Sequence, residues 1–256
     1  MSDFAIIKDD ISADKFHICS IHRTLQNSHI INSILHLHTH LEIETEMYKL
    51  TANLDSKQSI SFNAVSVETF DEFFQQHGCI EYNLAKYIAK TLSIQLDYLM
   101  YNLQCGEKSV FSHYCRQNMI IVNRTTVFYM GSSNLVRLEN VTNPNRAHFT
   151  EIRRHAFYSK NENINFLSPE LINITSVPCK IPHQSIYWSL ALFISIHLIP
   201  EITILIQKDN AERKKICSPT AMVRFLNTSN ICGTSLFYFL IRCFKRHPKH
   251  RLVLLL

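Results

Sequence analysis

The feature that most constrains this chain is an uncharged run, Ile186 to Ile199, reading IYWSLALFISIHLI. It is apolar nearly all round, so a helix built from it has no face to offer to water. Spanning a bilayer takes roughly 20 such residues, and Pro200-Glu201 closes the run short of that length. The expectation is a helix buried on every side, the hub of a sizeable domain, with no membrane partner. Upstream lies a compact turn, Ser168-Pro169-Glu170, closed by Leu171 and followed by a polar, proline-punctuated link.

A chain of 256 residues can surround such a helix with a large core, as one or two domains. With 46% hydrophobic and 18% charged residues it belongs with globular proteins, and intrinsic disorder is excluded. The net charge of +5 is too mild to call for nucleic acid, but it is unevenly spread. Arg242, Lys245, Arg246, Lys249 and Arg251 crowd one segment near the C-terminus. Such a cluster suits a helix C-terminus, where cations meet the negative end of the macrodipole, or a patch for an acidic partner. The eight cysteines are scattered from Cys19 to Cys243 without a C-x-x-C pair, and the opening MSDFAIIKDD has no secretory character. Reduced thiols in a cytoplasmic or nuclear protein are expected. Only four glycines occur, and none precedes Gly78. A phosphate-cradling loop in the N-terminal part is thereby excluded, because such loops need glycines to bring backbone amides close to the phosphate.

Along the chain, FAIIK and KFHICSIHR read as short strands between Met1 and Arg23. Asn27-Ser28 can cap a helix whose apolar face carries Ile30, Ile31, Ile34, Leu35 and Leu37. His36, His38 and His40 follow; on a strand they would share a face and could bind a metal, whereas in a helical frame they form a polar helix end. Residues 41–50 and 57–67 predict a strand pair about a turn at Asn53 to Ser56. A short helix from Thr69 to His77 should end at Gly78, and a longer one, Tyr82 to Leu99, buries Leu84, Ile88, Leu92, Leu96 and Leu99. MIIV (119–122) and TVFYM (126–130), separated by Asn123-Arg124-Thr125, predict a hairpin. Residues 139–165 are polar and Asn-rich and read as an irregular loop, and a last helix covers Leu236 to Phe244. The order gives an α+β, two-part layout: residues 1–63, β-rich with one helix, then 64–256, mostly helical with a hairpin.

Several of these pieces together resemble the protein kinase domain. FLSPEL (166–171) is similar to the A-P-E turn that ends a kinase activation segment, IYWSLALFI to its D-x-W-S-x-G helix, and RHPKHR (246–251) to its D-P-x-x-R. SISFNAV followed by TFDEFF resembles the hinge strand and first helix of the larger kinase lobe, and helix 82–99, with Asp97-Tyr98-Leu99 at its end, the helix before the catalytic loop. The resemblance covers about residues 15–256 and implies a bilobal fold with a reduced β-rich N-lobe and a mainly helical C-lobe.

Kinase chemistry requires a catalytic Asp, an Asn and a second Asp for magnesium, and a strand Lys. The resemblance puts His113 at the catalytic Asp, Asn118 at the metal-binding Asn and Tyr129 at the metal-binding Asp, with Tyr129-Met130-Gly131 as the triplet. A second registration uses Asn140-Val141-Thr142, also without Asp. Ser20 or His22 falls at the strand Lys, while Ile186 and Ala191 replace the Asp and Gly of the core helix. Retained are Trp188 and the pair Glu170 and Arg251, which matches a buried kinase salt bridge. The resemblance therefore implies a catalytically degenerate kinase-like domain, a protein-binding or scaffold module needing no cofactor. The alternatives are a divergent active Ser/Thr kinase using ATP and Mg, and a metal- or nucleic-acid-binding protein using His36–His40 or the basic C-terminal segment.

Overall fold

The chain is described by a computed structural model over residues 4–10, 15–20, 32–34, 36–37, 50–53, 59–104, 116–130, 149–152, 168–172, 179–182, 184–206 and 218–252. The fold is α+β. Strands β1 (Phe4–Lys8), β2 (Lys15–Ser20), β3 (Leu50–Asn53) and β4 (Ser59–Asn63) form an antiparallel sheet in the order β1-β2-β4-β3. Of the strand pair expected at 41–50 and 57–67, the second strand is β4; its partner β3 lies later than expected, at Leu50–Asn53, in register from Leu50 with Phe62 to Asn53 with Ser59, and residues 41–49 lie outside the described residues. Residues 32–34 and 36–37 are helical, with Ile34 and Leu37 fully buried.

A second sheet, β5-β6-β7, joins Val67–Thr69 (β5), Met119–Val122 (β6) and Thr126–Tyr129 (β7), all antiparallel. Every residue of β6 and β7 is buried, as their unbroken apolar runs require of strands covered on both faces. Because side chains alternate along a strand, the hairpin partitions the molecule. Met119, Ile121, Val127 and Tyr129 enter a large core; Ile120, Val122 and Phe128 enter a smaller one with Phe16, Ile18, Ile34 and Leu37.

Helix α1 (Phe70–His77) begins at Thr69, whose hydroxyl accepts from the Glu72 amide while the Glu72 carboxylate accepts from the Thr69 amide. This reciprocal box satisfies two of the amide donors that a helix start leaves open. Gly78, at φ 70°, ends the helix in a conformation that glycine adopts without a Cβ penalty. Helix α2 (Tyr82–Gln104) carries the expected apolar stripe but runs past Leu99, since the next helix breaker is Gly106.

The short helix α3 (Pro169–Ile172) precedes the buried hub, helix α4 (Ser185–Leu198). From Ser185 to His197 every α4 residue but Tyr187 is buried, which is the all-round burial that its composition demands. Helices α5 (Pro200–Ile206), α6 (Pro219–Thr228) and α7 (Ser235–Cys243) complete the helical part; α2, α5 and α7 pack on α4. Among the described residues no helix is long and apolar enough to cross a membrane.

One expectation is corrected. Residues 139–165 are not irregular throughout, because Phe149–Ile152 form strand β8, paired antiparallel with β9 (Cys179–Pro182) from the link before α4.

Candidate functional site

At the start of the hub helix, Arg251 donates from both terminal nitrogens to the Glu170 carboxylate, at 2.9 and 2.7 Å. Its Nε donates to the Lys245 carbonyl at 2.9 Å, and its guanidinium lies 5.2 Å from the Trp188 ring. Phe244 meets the same ring edge-on at 4.8 Å, and Trp188 is wholly buried. The Ser185 hydroxyl, at the first position of α4, adds a bond to Glu170 at 3.3 Å. Turn 168–172, the hub and the end of the chain therefore meet on one carboxylate. Burial pushes the Glu170 carboxyl up, but the hydrogen bonds and charge of Arg251 outweigh it and hold it below the usual range.

Two of the residues to which the resemblance gives site positions, Asn118 and Tyr129, lie at the open end of the β6–β7 hairpin. Arg116–Asn118 form a 3-10 turn just before β6. Asn118 is buried, and its carbonyl accepts from the Met130 amide at 2.8 Å across the open end of the hairpin. Tyr129 is 4% exposed, its side chain in the large core. Its main chain is bound twice by Gln95 of α2: the Tyr129 amide donates to Oε1 and Nε2 donates to the Tyr129 carbonyl, both at 2.8 Å. Gln95 Nε2 also donates to Ser33 Oγ at 2.9 Å, which joins the helical segment of the first part to α2 and β7.

At the other end of the hub, Arg116 Nε donates to His197 Nε2 at 2.8 Å. Because an arginine Nε can only donate, His197 Nε2 is the lone-pair nitrogen and its proton sits on Nδ1, 2.6 Å from the Phe193 carbonyl. Burial, then the Arg116 charge, lowers the His197 pKa to about 3, against a smaller opposing effect of the bond to Phe193. Arg116 also stacks 4.0 Å from the Phe74 ring and lies 3.8 Å from Asp71, so the turn before Asn118 is fixed to both α1 and α4.

The far end of the hairpin clamps the segment between β4 and β5. Asn123 Oδ1 accepts from the Val65 and Ser66 amides, at 2.8 and 3.2 Å, and the Asn123 amide donates to the Ser66 carbonyl. Asn123 and Arg124 both have positive φ, 51° and 58°, as a tight hairpin turn requires.

His113, His38, His40, His22 and Asn140-Val141-Thr142 lie outside the described residues, and of Ser20 and Asn63 only the backbone is described, in β2 and β4. His36 is helical, with its ring 4.7 Å from that of Tyr98, rather than on the strand that a three-histidine site would need. Among the described residues no group of three or more His, Cys, Asp or Glu comes together.

Sequence reasoning passed over Gln95, His197, Arg116 and Asn123. Two of these carried a signal. Gln95 falls on the buried stripe of α2, three residues after Leu92, and His197 interrupts the apolar run near its end; a polar residue in such a place needs a partner. No family model matches the chain, and no curated protein matches it.

Proposed function

We propose that this chain is a degenerate protein-kinase-like domain that works by binding protein partners, as a scaffold or regulatory module, rather than by transferring phosphate. On this reading residues 1–63, with the four-stranded sheet, are a reduced N-lobe, and residues 64–256 are the C-lobe built on α4. The observation that carries it is Tyr129. At the position that the resemblance gives to a metal-binding carboxylate stands a phenol, 4% exposed and packed in the large core. Magnesium takes hard, charged oxygen ligands in an open octahedron, and a buried phenol supplies neither. The remaining amide, Asn118, is itself buried. By contrast, the parts that hold shape are present: Trp188 at the centre of the hub, and Glu170 bound through both oxygens to Arg251.

Single-turnover assays with labelled ATP and magnesium or manganese test the reading. The expected result is no phosphate incorporation and no nucleotide-dependent rise in Tm. Incorporation lost on His113→Ala, or stabilisation by ATP only when magnesium is present, would overturn it in favour of a divergent kinase.

A further inference from the structure

The charge of the chain is divided sharply along its length. Residues 213–256 hold nine Lys and Arg and no Asp or Glu, so the 212 residues before them carry all 21 acids and only 17 of the 26 basic side chains. Nine positive charges therefore face a remainder of net −4. In the fold, Arg242, Lys245, Arg246 and Lys249 are exposed, and none forms an ion pair among the described residues. The carboxylate that this segment does touch, Glu170, is taken up by Arg251.

The cations are clustered within eight residues. Tyr238 and Arg242 are four apart on α7 and share its outward side, and Lys245, Arg246 and Lys249 follow just past the helix end, all exposed. Tyr238 is 57% exposed, a large ring left in water beside the charges. The turn that follows is held rigid. Arg251 Nε binds the Lys245 carbonyl, the His250 amide binds the His247 carbonyl, and the Arg251 amide binds the Pro248 carbonyl. A basic surface ordered beforehand loses little entropy when it takes a ligand.

We infer that this face docks a short acidic segment of another protein, with several Asp or Glu around one apolar side chain. Arg242, Lys245, Arg246 and Lys249 receive the carboxylates, and Tyr238 takes the apolar residue. The cluster is small, four exposed cations, and this is what favours a peptide over nucleic acid. A polynucleotide keeps its charge density along its whole length, about one charge per 1.7 Å of duplex. Outside these four cations the chain sums to only +1, so the rest of the molecule has no excess of positive charge to hold such a polymer. The face uses none of His113, Asn118 and Tyr129, the residues to which the resemblance gives site positions.

Fluorescence anisotropy on the full chain tests this with a labelled nine-residue peptide, four glutamates on either side of one leucine. Binding at about 50 mM salt should weaken about tenfold or more at about 300 mM, because exposed charges are screened. The variant K245E/R246E/K249E should weaken it about tenfold or more at low salt, and Tyr238→Ala a few-fold with an unchanged salt dependence. Glutamine at the same three positions is the second variant should charge reversal disturb folding. No binding at low salt, binding indifferent to both sets of variants, or tighter binding of a nine-residue oligothymidylate would overturn the inference.

Discussion

Arg251 and Glu170, 81 residues apart, form an ion pair whose two members are unequally placed: the Arg251 side chain is fully buried, that of Glu170 19% exposed. The inequality sets what each substitution does. Glu170→Ala strands a buried guanidinium and should cost about 3–5 kcal/mol in urea denaturation. Arg251→Ala leaves a carboxylate that can reach water, but it empties volume beside Trp188, so its cost is of packing as much as of charge. Removing both charges with the apolar pair Glu170→Leu and Arg251→Met should recover more than half of the Glu170→Ala loss. A double variant no more stable than Glu170→Ala alone would show that the pair is not what holds the turn to the hub.

Two groups set two acid windows. His197, held to about 3 by burial first and by Arg116 second, stays neutral in the fold while the unfolded chain takes up a proton near pH 6.5. Its folded pKa is the lower one, so the unfolded state binds more protons and stability falls as pH drops below about 6.5, by at most about 1.4 kcal/mol per pH unit. Glu170 is also lowered, so its contribution is complete above its unfolded value and is lost as pH falls further, through its folded value. Urea midpoints between pH 8 and 4 should therefore decline for the native chain but stay nearly flat for His197→Gln in the upper part of that range. The slope is assigned to the wrong group if His197→Gln keeps it.

Local signals made most of the fold legible. Thr69 with Glu72, and Gly78, mark both ends of α1 within a few residues of sequence, and the apolar runs at 119–122 and 126–130 mark a hairpin buried on both faces. Pairing over distance was not legible. FTEI and CKIP are four residues each; FTEI does not alternate and CKIP alternates over only three residues before its proline, so nothing local announces that Phe149 lies opposite Pro182. Nor does the sequence by itself bring Glu170 to Arg251; only the kinase resemblance put the two together. The polar residues that fasten the site were half legible. Gln95 and His197 interrupt apolar faces, but their partners, the Tyr129 main chain and Arg116, are fixed by how the hairpin lands on α2 and α4.

The hairpin turn offers a separable test of backbone and side chain. Asn123 sits at φ 51°, a region where asparagine is tolerated better than most residues, and its side chain binds two amides of the segment leading into β5. Asn123→Gly keeps the conformation and loses the acceptor, and should cost about 1–2 kcal/mol. Asn123→Ala loses both and should cost about 1 kcal/mol more. Equal stabilities for the two variants would mean that the left-handed backbone carries no cost there.

Gln95 holds three elements with one amide, and its removal should destabilise the fold although it alters no charge. Its two donor bonds reach Ser33 and the Tyr129 carbonyl, and its oxygen takes the Tyr129 amide, all in a site closed to water. Gln95→Met fills similar volume but removes the bonds that Gln95 makes to the Tyr129 amide and carbonyl and to the Ser33 hydroxyl. At about 1 kcal/mol net for each buried hydrogen bond removed, the loss should be about 3 kcal/mol. Gln95→Glu keeps an acceptor for the Tyr129 amide but buries a charge and loses both donors, so it should be no better at neutral pH. Hydrogen exchange distinguishes a local effect from a global one: protection of the Tyr129 amide should fall by more than that of the α4 amides. Uniform loss along the chain would mean that Gln95 contributes to overall stability without specifically fastening β7 to α2 and the Ser33 segment.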